Sequence, residues 1–91
     1  MPDQNLKTKL VTYIDAPKEI LLDYPTASLM GNDSLTIQNH KGLIEYTDTV
    51  IRLKTALGPL RIEGCDFLIK QLNQESLQLT GVIHGLRYEM A

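Results

Sequence analysis

The side chains best suited to nucleophilic chemistry are the single cysteine, Cys65, and the two histidines, His40 and His84. A working Cys–His pair needs thiol and imidazole within hydrogen-bond reach and a third group to orient the ring. The local sequence supplies none of this. Cys65 lies between Gly64 and Asp66, so its nearest charged neighbour is a carboxylate, whereas reactive thiols are helped by cations. A structural zinc site wants four Cys/His ligands in paired spacing, and positions 40, 65 and 84 offer no pair. The acidic residues are scattered along the chain and suit solvated faces better than a calcium cage. There is no Gly-rich phosphate loop ending in Lys-Ser/Thr and no GxGxxG opening a helix. The expectation is no catalytic residue, no cofactor and no metal.

One constellation stands apart. Asn39-His40-Lys41-Gly42 lies between two alternating apolar stretches. Asn tolerates left-handed backbone and Gly supplies positive φ, so the segment is expected to turn as a tight hairpin loop. Such a loop would set an imidazole beside an ammonium in solvent. Asn39, His40, Lys41 and Gly42 are therefore the candidate partner-contact residues.

The elements that must position this loop follow from periodicity. Leu6, Leu10, Val11 and Ile14 recur at helical spacing. Pro25 blocks helical continuation and pushes Tyr24 toward extended geometry. Residues 1–25 are thus expected to hold a short N-terminal helix and a lead-in segment. From residue 26 the period becomes two: Leu35/Ile37, Ile51/Leu53, Leu60/Ile62, Leu77/Leu79 and Leu86/Tyr88 each flank a polar residue. That is the signature of strands with one buried face. Gly31-Asn32-Asp33, Gly58-Pro59, Gly64 and Asn73-Gln74-Glu75 read as turns. Residues 26–91 are expected to form one all-β domain, a small antiparallel meander of six or seven short strands packed as a sandwich or roll. The inward set is Leu35, Ile37, Ile44, Ile51, Leu53, Leu60, Ile62, Leu77, Leu79 and Leu86.

Ile51-Arg-Leu-Lys-Thr, Leu60-Arg-Ile-Glu-Gly and Leu77-Gln-Leu-Thr-Gly also share one form: apolar, polar, apolar, polar, small. A short β-solenoid, with each rung covering the next, is the alternative architecture. An open meander has edges that invite another chain. Ser76–Tyr88 contains neither Pro nor Lys, so this C-terminal stretch is expected to be such an edge, with Gln78 an outward position on it. Self-association or strand addition to a partner's sheet follows.

With 91 residues, the chain has room for one domain. It is 43% hydrophobic and 22% charged, with a net charge of −2. Neither half is basic enough to neutralise a row of phosphates, which excludes nucleic acid as the expected partner. No apolar run approaches the roughly 20 residues of a membrane span, so no direct membrane insertion is expected. A lone cysteine and no secretory signal at Met1-Pro2-Asp3 point to a cytoplasmic location.

The run from Pro17 to Tyr88 resembles the YabP/YqfC-type sporulation proteins of endospore-forming bacteria, closest to the YqfC branch. The resemblance is carried by Glu19-Ile20, Asp23-Tyr24-Pro25, Gly31, and Leu35-Thr36-Ile37-Gln38-Asn39-His40-Lys41-Gly42. It continues through Leu60-Arg61-Ile62-Glu63-Gly64 and Leu79-Thr80-Gly81-Val82-Ile83. It departs at Thr26, where that branch usually has a basic residue. The resemblance implies a non-enzymatic scaffold or partner-binding module in spore cortex or coat assembly, on the mother-cell side. It further implies a sporulation membrane protein as partner. The residues alone leave a small-ligand or glycan-binding β module as the alternative.

Overall fold

The computed structural model describes residues 23–89. The expected N-terminal helix lies outside them. Six strands follow in order: β1 (Thr26–Met30), β2 (Ser34–Gln38), β3 (Gly42–Tyr46), β4 (Val50–Lys54), β5 (Leu60–Leu72) and β6 (Ser76–Tyr88). The all-β expectation holds. They form one open sheet in the order β1-β2-β6-β5-β4-β3, antiparallel at every pairing. A solenoid stacks its rungs in parallel, so the repeat has another origin.

The meander runs unbroken from β3 to β6 and is interrupted between β2 and β3. β5 and β6 are each 13 residues long, because Gly64 and Gly81 bend the strands rather than end them. β4 pairs only with the first part of β5, Leu60–Glu63, and β2 only with the first part of β6, Ser76–Thr80. The sheet therefore divides into two half-sheets that share the bent β5–β6 hairpin. One is β1-β2 with the start of β6 and the end of β5. The other is β3-β4 with the start of β5 and the end of β6.

Each half repeats one plan. Ser34–Gln38 and Val50–Lys54 have the same alternation of half-buried and buried positions. Leu60–Gly64 and Leu77–Gly81 occupy equivalent places, each ending on the glycine of a bend. This pseudo-two-fold relation accounts for the sequence repeat. The turns repeat it as well: Asn32 and Asp33 carbonyls accept from Ile83 and Gly81 N–H at 2.7 and 3.3 Å. Thr49 and Asp48 carbonyls accept from Gly64 and Phe67 N–H, both at 3.0 Å.

The bends are tight. A Cβ on Gly64 would collide with the Val82 carbonyl, and one on Gly81, at φ +142°, would lie 2.8 Å from the Asp66 carbonyl. Only glycine admits both the approach and the positive φ.

The core sits between the half-sheets: Leu35, Ile37, Leu77 and Leu79 from one, Ile51, Leu53, Leu60 and Ile62 from the other, with Phe67 and Ile83. The expected inward set needs correction at four residues. Ile44 is 41% exposed, because the register shifts between Leu43 and Glu45 and leaves it out of the alternation. Phe67 and Ile83 are buried although neither is in the expected set: Phe67 lies in the register shift between Cys65 and Leu68, which resets the parity of β5, whereas Ile83 keeps the parity of Leu77 and Leu79 across Gly81. Leu86 is half-buried and packs against the core.

The expected free edge is also corrected. Over Ser76–Thr80, β6 is an interior strand, and Gln78 pairs with both Thr36 and Gln71. The sheet's outer strands are β1 and β3. From Val82 onward β6 pairs with β5 alone.

Candidate partner-binding site

Asn39-His40-Lys41 is the link that carries the chain from one half-sheet to the other. It closes no hairpin, since β2 and β3 are not neighbours. Asn39 turns the chain at φ +67°, a conformation asparagine tolerates better than most residues. The link is held from both sides. Asn39 and His40 N–H donate to the Glu75 carbonyl at 2.6 and 3.3 Å, and Lys41 N–H donates to the Lys54 carbonyl at 2.7 Å. Gly42 has the expected positive φ, +141°.

Side chains tie the lead-in segment to this link. Asn39 Nδ2 donates to Asp23 Oδ1 at 3.1 Å and to the Tyr24 carbonyl at 3.0 Å. Lys41 Nζ lies 3.0 Å from the same Asp23 oxygen. The Lys41 hydrogen bond, then that of Asn39, holds the Asp23 carboxyl below its ordinary value. This triad leaves no local sign in the sequence, because Asp23 is separated from Asn39 and Lys41 by a whole hairpin.

His40 corrects an expectation. It is 3% exposed and presents no imidazole to solvent. Gly42 N–H donates to His40 Nδ1 at 3.0 Å, which places the ring proton of the neutral tautomer on Nε2. Buried Nε2 has no hydrogen-bond partner among the described residues. Lys41 alone of the four candidates projects a charge outward.

Two open clefts flank the link and meet at Asn73. One, of about 520 Å³, is polar, with Asp23, Gln38, Asn39, Asn73 and Glu75 in its lining. The other, of about 530 Å³, is lined by His40, Lys41, Leu43 and Leu72 among others. The β5–β6 turn between them is braced by Asn73 Oδ1, which accepts from Ser76 N–H at 2.8 Å and Ser76 Oγ–H at 2.7 Å.

The outer face of the other half-sheet is charged and self-compensating. Glu45, Arg52, Arg61 and Arg87 stand in register across β3, β4, β5 and β6. Arg52 donates to Glu89 Oε1 through Nε at 2.9 Å and Nη2 at 2.7 Å. Arg61 Nε donates to Glu63 Oε2 at 2.6 Å, and Arg87 Nη2 lies 3.5 Å from that oxygen. These bonds raise the Arg52 and Arg61 pKa values and lower those of Glu63 and Glu89. The alternation in the sequence predicts the polar face; the partners depend on register.

The remaining chemical candidates are not gathered. Cys65 is half-buried at the bend, opposite Val82, and His84 is exposed on β6. His40 lies beyond the far end of β5, bonded to the Glu75 turn. Among the described residues no helix is long and apolar enough to cross a membrane.

The described residues thus form an open, all-β sheet with a cross-braced link and an ion-paired outer face. Comparison with known proteins gives its kinship: residues 24–91 match the YabP family, and the chain belongs to that family. It is also 30% identical over 83 residues to a Bacillus subtilis (strain 168) protein named "Uncharacterized protein YqfC", covering 91% of this chain and 89% of that one.

Proposed function

We propose that the protein is a non-enzymatic scaffold or partner-binding module of spore formation, acting in cortex or coat assembly on the mother-cell side. The process comes from the family resemblance. The observation that carries the binding role is the Asp23–Asn39–Lys41 triad, an exposed charged anchor between two open clefts. Of the candidate nucleophile and bases, His40 spends Nδ1 on accepting the Gly42 N–H. The partner is a sporulation membrane protein, which would bring the module to a membrane it does not itself enter.

The test is a deletion in a spore former, followed by capture of partners from sporulating cells. The reading expects defective cortex or coat, and a membrane protein recovered with the wild type but reduced with Lys41→Glu. Normal heat resistance and normal spore layers would sink it.

A second reading, a small-ligand or glycan-binding module, is favoured by the polar lining of the cleft around Asp23, Gln38, Asn39, Asn73 and Glu75. Saturable titration by cortex-type glycans, lost in Asn73→Ala, distinguishes it.

A further inference from the structure

The polar cleft beside the link is rich in hydrogen-bond acceptors, because several of its donors are spent inside the protein. Asn39 Nδ2 gives its hydrogens to Asp23 Oδ1 and to the Tyr24 carbonyl. Ser76 Oγ–H donates to Asn73 Oδ1. What Asn39 and Ser76 still offer the cleft are oxygens, beside the second oxygen of Asp23 and the carboxylate of Glu75. The unspent amide donors in the lining are those of Gln38 and Asn73.

Charge points the same way. None of the lining residues is cationic. Lys41 compensates Asp23 at 3.0 Å, whereas the Glu75 carboxylate joins no ion pair among the described residues. One negative charge therefore stands uncompensated among oxygen acceptors. The volume of about 520 Å³ lies within the range of small-molecule sites, about 300–1,000 Å³. An anion would meet repulsion there and leave lone pairs unmatched. The lining has no aliphatic or aromatic residue against which an apolar side chain could pack. A ligand with many O–H donors and a positive charge matches this inventory.

We propose that the cleft takes a glycan bearing a free amino group. Its ammonium lies against Glu75, and its hydroxyls donate to the oxygens of Asp23, Gln38 and Asn39. This rests on the glycan-binding reading above and adds to it the charge of the ligand.

The test is an amide HSQC titration of the full chain at low salt and mildly acid pH. One arm uses a glucosamine tetramer; the other uses its fully N-acetylated counterpart, which lacks the charge. Saturating shifts are expected at Gln38, Asn39, Asn73 and Glu75. The glucosamine tetramer should bind about threefold tighter or more, a preference of the size an exposed ion pair supplies. Glu75→Gln keeps the backbone carbonyl that holds Asn39 and His40, so the unfolding midpoint should not move. In that variant the two tetramers should bind alike, and high salt should have the same effect on the wild type. Equal affinities in the wild type, or a preference for the acetylated tetramer, overturn the charge assignment while leaving the glycan-binding reading intact. A preference that survives Glu75→Gln overturns it too. Absence of saturable shifts with either tetramer overturns both.

Discussion

Tyr46 bonds to the backbone of β5 as an adjacent strand would: its hydroxyl accepts the Ile69 N–H at 3.1 Å and donates to the Phe67 carbonyl at 3.4 Å. The phenol thereby joins the edge of one half-sheet to the edge of the other. The Glu75 carbonyl does comparable work at the far end, holding the link at Asn39 and His40. The two halves of the open sheet are thus joined by polar stitches at both ends and by the apolar core between them.

Tyr46→Phe keeps the ring and removes the stitch. Because Tyr46 is 44% exposed, water can replace part of the lost bonding. The expected cost is about 1 kcal/mol, read from urea unfolding. Hydrogen exchange at the Ile69 amide should accelerate more than at Leu79, which lies in the fully buried part of β6.

Gly64→Ala tests the bend. The added methyl meets the Val82 carbonyl and, at 2.8 Å, the Phe67 ring. Backbone cannot yield cheaply, so the loss should reach about 3 kcal/mol or more, the upper part of the usual overpacking range. Gly85→Ala, which meets nothing within 4 Å, is the control and should leave the unfolding midpoint nearly unchanged.

Acid should weaken the fold through three carboxylates. Asp23, Glu63 and Glu89 are lowered by their bonds to Lys41, Arg61 and Arg52. Between the folded and unfolded values the unfolded chain binds more protons, so stability rises with pH there. The contribution is complete above the ordinary carboxylate range and is lost as pH falls through the folded values. Unfolding midpoints from pH 7 to pH 3 should show this decline. Glu89→Gln should flatten it, and high salt should do so partially, because these pairs are exposed to solvent.

How much of this was legible depends on parity. Within an unbroken strand a single rule assigns every side chain to a face, which is why Leu35/Ile37 and Ile51/Leu53 are found inside as expected. A bulge or bend shifts the count without leaving a composition signal. Ile44 and Phe67 both fall at such shifts, whereas Ile83 keeps the parity of Leu79 and is disguised only by the glycine between them. Gly64 carried a signal that suits either a turn or a bend; only the Val82 carbonyl packed against it distinguishes them. The burial of His40 was hidden for a related reason: Asn-His-Lys-Gly suits a hairpin, and it is long-range pairing of β2 with β6 that makes it a crossing link instead. The Asp23–Lys41 pair depends on the same crossing.

Strand order also decides where another copy of the chain could add. Gln78→Pro would remove a ladder N–H from a strand bonded on both sides, and a proline in such an interior strand should unfold the domain. The open positions belong to β1 and β3. On β1, Leu29 lies opposite buried Leu35 yet is 50% exposed, an apolar side chain on an unpaired edge, the arrangement that favours edge-to-edge association. Leu29→Lys places a charge there without touching the buried core. Light scattering over a concentration series should show the wild type associating and Leu29→Lys remaining monomeric, with equal unfolding midpoints at low concentration. A wild type that stays monomeric at high concentration rules out association through β1.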